Sequence, residues 1–149
     1  MNAEAIFSAC NALALVGWLL LILLPRWTWT MRLVLSGIIP LLLAAVYLVL
    51  IILYFGRAEG GFGSLAEVAQ LFRQPFLLLA GWIHYLAFDL FVGGWETRDA
   101  QRLKVPHLVV VPCLVLTFLL GPIGLIAYYV VRLRWQKNLN NSDLDQAGE

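Results

Sequence analysis

The 149 residues are 62% hydrophobic and only 13% charged, with a mean hydropathy of +0.84. That is more apolar surface than a soluble domain of this size can bury. The ten Lys/Arg and nine Asp/Glu gather into short stretches between long apolar runs, which excludes water as the solvent for most of the chain.

Run 6–24 carries no charge and ends at Pro25-Arg26, and run 33–55 is also uncharged and ends at Gly56-Arg57. Each is long enough to cross about 30 Å of hydrocarbon. Run 76–95 has spanning length but carries His84 and Asp89, and run 108–131 is uncharged and is followed by Arg132 and Arg134. The runs are continuous rather than alternating, and a lipid-facing backbone must satisfy its own hydrogen bonds, so strands are excluded. The expected fold class is all-α. It is a four-helix transmembrane bundle forming one domain over 1–137, followed by a polar, disordered tail at 138–149.

No Lys or Arg precedes the first run, its apolar stretch is too long for a secretory signal, and no small-residue cleavage site follows Leu24. A retained helix is expected. The absence of an Arg-rich and Ser-rich leader points to an unprocessed, multi-pass protein of a bacterial inner (plasma) membrane. With four crossings, Arg57, Arg73, Arg132, Arg134 and Lys137 share one face, and Arg26, Arg32, Arg98, Arg102 and Lys104 share the other. This is an even division that leaves orientation open, with the first hairpin leaning toward an outside N-terminus. Trp27, Trp29, Trp95 and Trp135 fall at span ends, as interfacial aromatic belts do.

Between the second and third runs, Ser64-x-x-Glu67 has the form of a capping box, and Leu65, Val68, Ala69 and Phe72 recur at helical spacing. A short amphipathic helix lying on the membrane is expected there, with a lid as the functional alternative. Cys10 and Cys113 start antiparallel spans, which argues against a disulfide and leaves both as small buried hydrophobes.

The third run holds the chemistry. Ionisable groups at helix centre cost roughly 2.5–3.5 kcal/mol each on insertion scales, so His84 and Asp89 imply partners or water. They are separated by about 7.5 Å of rise and roughly 140° of rotation, adjacent sectors from which both could approach a cavity. Trp82, Tyr85 and Asp89 share one face at i, i+3, i+7, and Gly93 and Glu96 continue it. Pro40, Pro112 and Pro122 are each expected to kink a span and free the carbonyl four residues earlier. His84 and Asp89 are therefore candidate proton-transfer residues, and Trp82, Tyr85, Phe88, Glu96 and His107 candidate ligand-lining residues. The plain alternative is that the polar groups only glue helices together. No metal is assigned, because His84 and Glu96 lie about 18 Å apart along one helix and a single ion cannot take His84, Asp89, Glu96 and His107. Glu96 and His107 could still meet across the last hairpin.

The stretch Gly81-Trp82-Ile83-His84-Tyr85-Leu86-Ala87-Phe88-Asp89-Leu90-Phe91, with Arg98-Asp99-Ala100, Pro106-His107, Pro112-Cys113-Leu114 and Gly121-Pro122-Ile123-Gly124, resembles the abscisic-acid-deficient-four-like membrane family. The resemblance covers most of the chain and is densest from Gly61 to Arg132. Plant members of that family are implicated in making neoxanthin from violaxanthin, which opens an epoxide and forms an allene. The resemblance implies carotenoid modification by acid/base isomerisation in an intramembrane pocket, with no cofactor; burial and chemistry, not the resemblance, make Asp89 and His84 the candidates for acid and base. The competing readings are a non-enzymatic scaffold or pigment-protein assembly factor and, more weakly supported, a proton-coupled transporter. The partners expected are the lipid bilayer, a hydrophobic isoprenoid or carotenoid ligand and a second copy of the chain, with no nucleic acid.

Overall fold

A computed structural model describes residues 2–147, with side chains through Lys137. The described chain is all helical. Helix α1 (Ala3–Leu23) is capped by Asn2, whose side chain accepts from the Glu4 amide. The second run begins as a short turn, α2 (Thr28–Thr30), widens into a π-helical turn over Met31–Leu35, breaks at Ser36-Gly37 and continues as α3 (Ile38–Tyr54). Gly37 takes φ +88, a left-handed conformation that glycine adopts without steric cost. Pro40 stands in the first turn of α3, where a proline removes no helical hydrogen bond, so the interruption precedes it. A short helix, α4 (Leu65–Leu71), follows, and the Ser64 side chain accepts from the Glu67 amide at 3.2 Å, as the capping pattern requires. Only Leu71 of α4 is buried.

The long central helix α5 (Pro75–Arg102) is started by Gln74, which accepts from the Leu77 amide, with Pro75 in its first turn. It packs against α3, α1 and α6. Close approach to α1 depends on glycine. A Cβ on Gly93 would lie 2.7 Å from the Trp18 ring, and one on Gly17 would lie 2.7 Å from Leu90. Trp18, Leu21, Leu43, Leu50, Ile83, Leu90, Val110 and Leu114 form the buried core between these helices.

Three helical stretches, Ala3–Leu23, Thr28–Arg57 and Pro75–Arg102, are long and apolar enough to cross a membrane. The run expected as a fourth continuous span, 108–131, is instead two helices, α6 (His107–Leu120) and α7 (Pro122–Ala147), separated by Gly121 at φ +48, ψ −97. The contacts show that the chain reverses there. α6 packs on α5 and brings Gly121 against Asp89, yet Tyr128 and Arg132 of α7 both bond Asp99, ten residues further down α5. Ten residues of helix are about 15 Å, so α7 must run back alongside α6. The cause is local: Gly121 allows a sharp turn, Pro122 can begin a helix but not continue one, and Gly124 lets the arms touch. A Cβ on Gly124 would meet the Thr117 amide nitrogen at 2.1 Å. The described residues thus form three long helical stretches and a helical hairpin, and the expected bundle of four continuous spans is not confirmed.

The end of the molecule where α5 finishes is tied together. The Thr30 hydroxyl donates to the Leu24 carbonyl, Arg98 to the Leu35 carbonyl and Gln101 to the Pro25 carbonyl. Trp27 and Trp29 are exposed there, whereas Trp95 packs on Tyr128 and Tyr129 of α7. Cys10 and Cys113 are buried free thiols. The expected tail, 138–149, lies in its side chains outside the described residues.

Candidate functional site

The seam expected on α5 faces α1 and the hairpin. At its top, Trp82 Nε1 donates to Asn11 Oδ1 of α1 at 3.1 Å, and its ring centroid lies 6.0 Å from that of Phe7 and 5.4 Å from that of Tyr85. One turn lower, the Tyr85 hydroxyl donates to the Phe118 carbonyl at 2.9 Å. Phe118 is four residues before Pro122, so the carbonyl that the proline leaves without a helical donor is the one this tyrosine satisfies.

Asp89 comes next, at the tip of the hairpin. A Cβ on Gly121 would lie 3.0 and 3.1 Å from its two carboxyl oxygens, so glycine makes room for the acid at the start of α7, where the helix dipole favours negative charge. Among the described residues Asp89 Oδ2 is the buried side-chain polar atom without a hydrogen-bond partner; the Tyr85 hydroxyl is the donor beside this carboxyl, and it is directed to the Phe118 carbonyl. Below it Glu96 is 0% exposed, and among the described residues its one donor is the Thr117 hydroxyl, 3.0 and 3.2 Å from its two oxygens. The seam ends at Asp99, whose Oδ2 accepts from the Tyr128 hydroxyl at 2.8 Å and from Arg132 Nε at 2.7 Å.

The structure brings Trp82, Tyr85, Asp89 and Glu96 onto one side of α5, and it places the other candidates elsewhere. His84 is exposed and faces α3: its ring stacks on Phe88 at 4.5 Å and lies 5.6 Å from Tyr47. It borders a depression of about 270 Å³ with Tyr47, Phe62 and Phe72. Phe88 lines a separate apolar groove of about 360 Å³ with Pro40, Ala44 and Phe91. The rotation between positions 84 and 89 is enough to put one on the α3 side and the other on the hairpin side, so the two do not converge as a pair. His107 does not meet Glu96. Its Nε2 lies 2.9 Å from the Ile22 carbonyl, and it fastens the start of α6 to the end of α1. Pro112 lies inside α6.

Five residues are additional to the sequence-predicted site: Asn11, Thr117, Tyr128, Asp99 and Arg132. Asn11 and Thr117 are the polar exceptions in their apolar runs at these depths, and that is the signal that could have found them. Asp99, near the end of α5, and Arg132, within α7, carry opposite charge, a pairing that makes sense only if α7 turns back.

The sequence model described as ABA DEFICIENT 4-like matches residues 5–128, a stretch that includes every residue of this seam except Arg132. No curated protein and no solved structure matches the chain.

Proposed function

The chain belongs to the ABA DEFICIENT 4-like family, and from that premise we propose that it is a multi-pass membrane enzyme that moves a proton on an isoprenoid ligand, carotenoid-like in character, with Asp89 as its working acid. The observation that carries the reading is Asp89 Oδ2, buried and without a partner against the glycine of a helix break. A polar atom held in that state costs stability unless a further group comes to it. Tyr85 supports the site from the hairpin carbonyl, and Trp82 borders its approach.

An isomerisation of the kind the family suggests can be run by one carboxyl. Its acid form gives a proton to a ligand oxygen as a C–O bond opens. The resulting carboxylate then removes a proton from a neighbouring carbon, which restores the acid and leaves the ligand's composition unchanged. His84, on the α3 side of α5, has no step in this scheme. The lipid bilayer supplies the ligand.

A second reading has its own support: Tyr85, Glu96, Asp99 and Tyr128 are all satisfied within the protein, as groups that only hold helices or a pigment-protein partner in register would be. The two readings part on Asp89→Asn, which keeps shape but removes the acid. Membranes of a carotenoid-producing host expressing wild type or variant at equal, correctly inserted levels are compared for pigment composition. Loss of the product with Asp89→Asn is the expected result. Full product formation by the variant would leave the scaffold reading in its place.

A further inference from the structure

The reversal at Gly121 changes which residues share a membrane face. α6 departs from the end where α5 finishes, and the bonds from Tyr128 and Arg132 to Asp99 return α7 to that same end. Arg26, Arg32, Arg98, Arg102, Lys104, Arg132, Arg134 and Lys137 therefore gather on one face, and Arg57 and Arg73 remain on the other. The even division given by four crossings becomes eight against two. Short basic segments stay on the cytoplasmic side, so this asymmetry sets an orientation that the tie could not. Depth follows from length. α6 has 14 residues, about 21 Å, which is short of the roughly 30 Å of hydrocarbon, and its tip meets Asp89 near the middle of α5.

We propose that residues 107–137 form a re-entrant hairpin inserted from the cytoplasmic side to mid-membrane. In the outer half, crossed by α1, α3 and α5, the space over its tip is then a binding site for an elongated apolar molecule ending in an oxygen function. A groove of about 380 Å³ between α1 and α5 runs from Glu4 at the outer face past Phe7 and Leu78 to Trp82. Trp82 touches Tyr85, and Asp89 lies one further turn down the same face. Leu119, Leu120 and Ile123 of the tip are exposed. The groove's lining is apolar apart from Glu4 at its mouth and Trp82 at its inner end, and the buried, unpartnered Asp89 Oδ2 lies beyond Tyr85 on the same helical face; a long apolar body with a single alcohol, ketone or epoxide at its buried end fits that order of groups better than a plain acyl chain does. The placement of the ligand rests on the role given to Asp89 above, whereas the threading of the chain does not.

The test uses the full chain with Cys10 and Cys113 replaced by alanine and single cysteines introduced as Ser64→Cys, Lys104→Cys or Lys137→Cys. A membrane-impermeant maleimide should label Ser64→Cys on intact cells, and the other two only after permeabilisation. Labelling of Lys137→Cys together with Ser64→Cys on intact cells would restore four crossings and overturn the hairpin. The opposite orientation would overturn the outer-half site. In proteoliposomes, a photoactivatable long-chain alcohol should crosslink to segments 78–89 and 119–123 more than the matching alkane does. Asp89→Leu, inserted and labelled as wild type, should lower that yield roughly fivefold, the loss of about one hydrogen bond. Equal crosslinking by alcohol and alkane, or no change in Asp89→Leu, would mean that ordinary lipid fills the groove and would overturn the site while leaving the threading intact. If crosslinking persists but Asp89→Asn still forms product, the acid role fails and the site stands.

Discussion

Thr117→Val tests the polar seam where its energetics are most one-sided. Glu96 is fully buried, and its two oxygens share a single hydroxyl hydrogen, 3.0 and 3.2 Å from the Thr117 oxygen. Valine keeps the shape of threonine and removes that donor. Hydrogen bonds between membrane helices average about 0.6 kcal/mol, with a maximum near 1.7, because the unfolded chain in the membrane also finds partners. A bond to a carboxyl that would otherwise stay buried and unsatisfied is expected at or above the upper end, since that orphaning costs about 1–3 kcal/mol. We expect Thr117→Val to lower stability by about 2 kcal/mol. Glu96→Met removes the group that needs the donor, so adding Thr117→Val to it should cost less than about 0.5 kcal/mol more. The assay is reversible unfolding in mixed detergent micelles, followed by far-UV circular dichroism on wild type, both single variants and the double. Strict additivity of the two substitutions, or a Thr117→Val variant as stable as wild type, would show that Glu96 is not held as the contacts imply.

Two glycine experiments probe the packing that sets the geometry. Gly93→Val should destabilise by about 1–3 kcal/mol, the usual cost of overpacking, because its Cβ would sit 2.7 Å from the ring of Trp18, a fully buried side chain that also packs on Phe118. Gly94→Ala is its control, since a Cβ there makes ordinary contacts at 3.7 and 3.9 Å, and it should unfold with wild type in the same assay. Gly124→Ala should open the hairpin, its Cβ meeting the Thr117 amide nitrogen at 2.1 Å. The readout is the same micelle unfolding assay, in which Gly124→Ala should lose about 1–3 kcal/mol, and wild-type stability would count against the arms being in contact. Tyr128→Phe should cost about 1 kcal/mol through the lost donor to Asp99, and loss of the Asp99–Arg132 pair as well, in Tyr128→Phe/Arg132→Leu, should loosen α7 further.

Much of this arrangement is legible from residue pattern alone. The three long helical stretches follow from long, predominantly apolar runs, the cap at Ser64 from its spacing to Glu67, and the seam from Trp82, Tyr85, Asp89 and Glu96 falling on one helical face. The freed carbonyl of Phe118 follows from Pro122, although nothing in the spacing says that Tyr85 is what satisfies it. His84 is the residue that periodicity alone misplaces. A polar group at bilayer depth reads as inward because lipid offers it nothing, but an imidazole can lie between aromatic rings, and Tyr47 and Phe88 provide them. Which sector of α5 faces which neighbour is a tertiary property, fixed by glycines at 17 and 93 that let α1 approach on one side only.

The hairpin is the clearest case of a local signal with two global solutions. A glycine and a proline inside an apolar run of 24 residues can bend a crossing helix or end it, and hydropathy is identical in both cases. What separates the outcomes lies outside the run. If α7 continued across, Arg132 would emerge on the face opposite Asp99, and both charges would stand alone. If it turns back at Gly121, the ten residues from Pro122 to Val131 span about 15 Å, the same distance that separates Asp89 from Asp99 along α5. Arg132 then arrives beside Asp99, with Tyr128 one turn earlier. The matched length, the complementary charge and the glycine at 124 that lets the arms touch all select the turned form. The same turn sets Asp89 against the tip of a broken helix instead of the side of a continuous one, so the position of the candidate acid and the orientation proposed for the chain rest on a single backbone reversal.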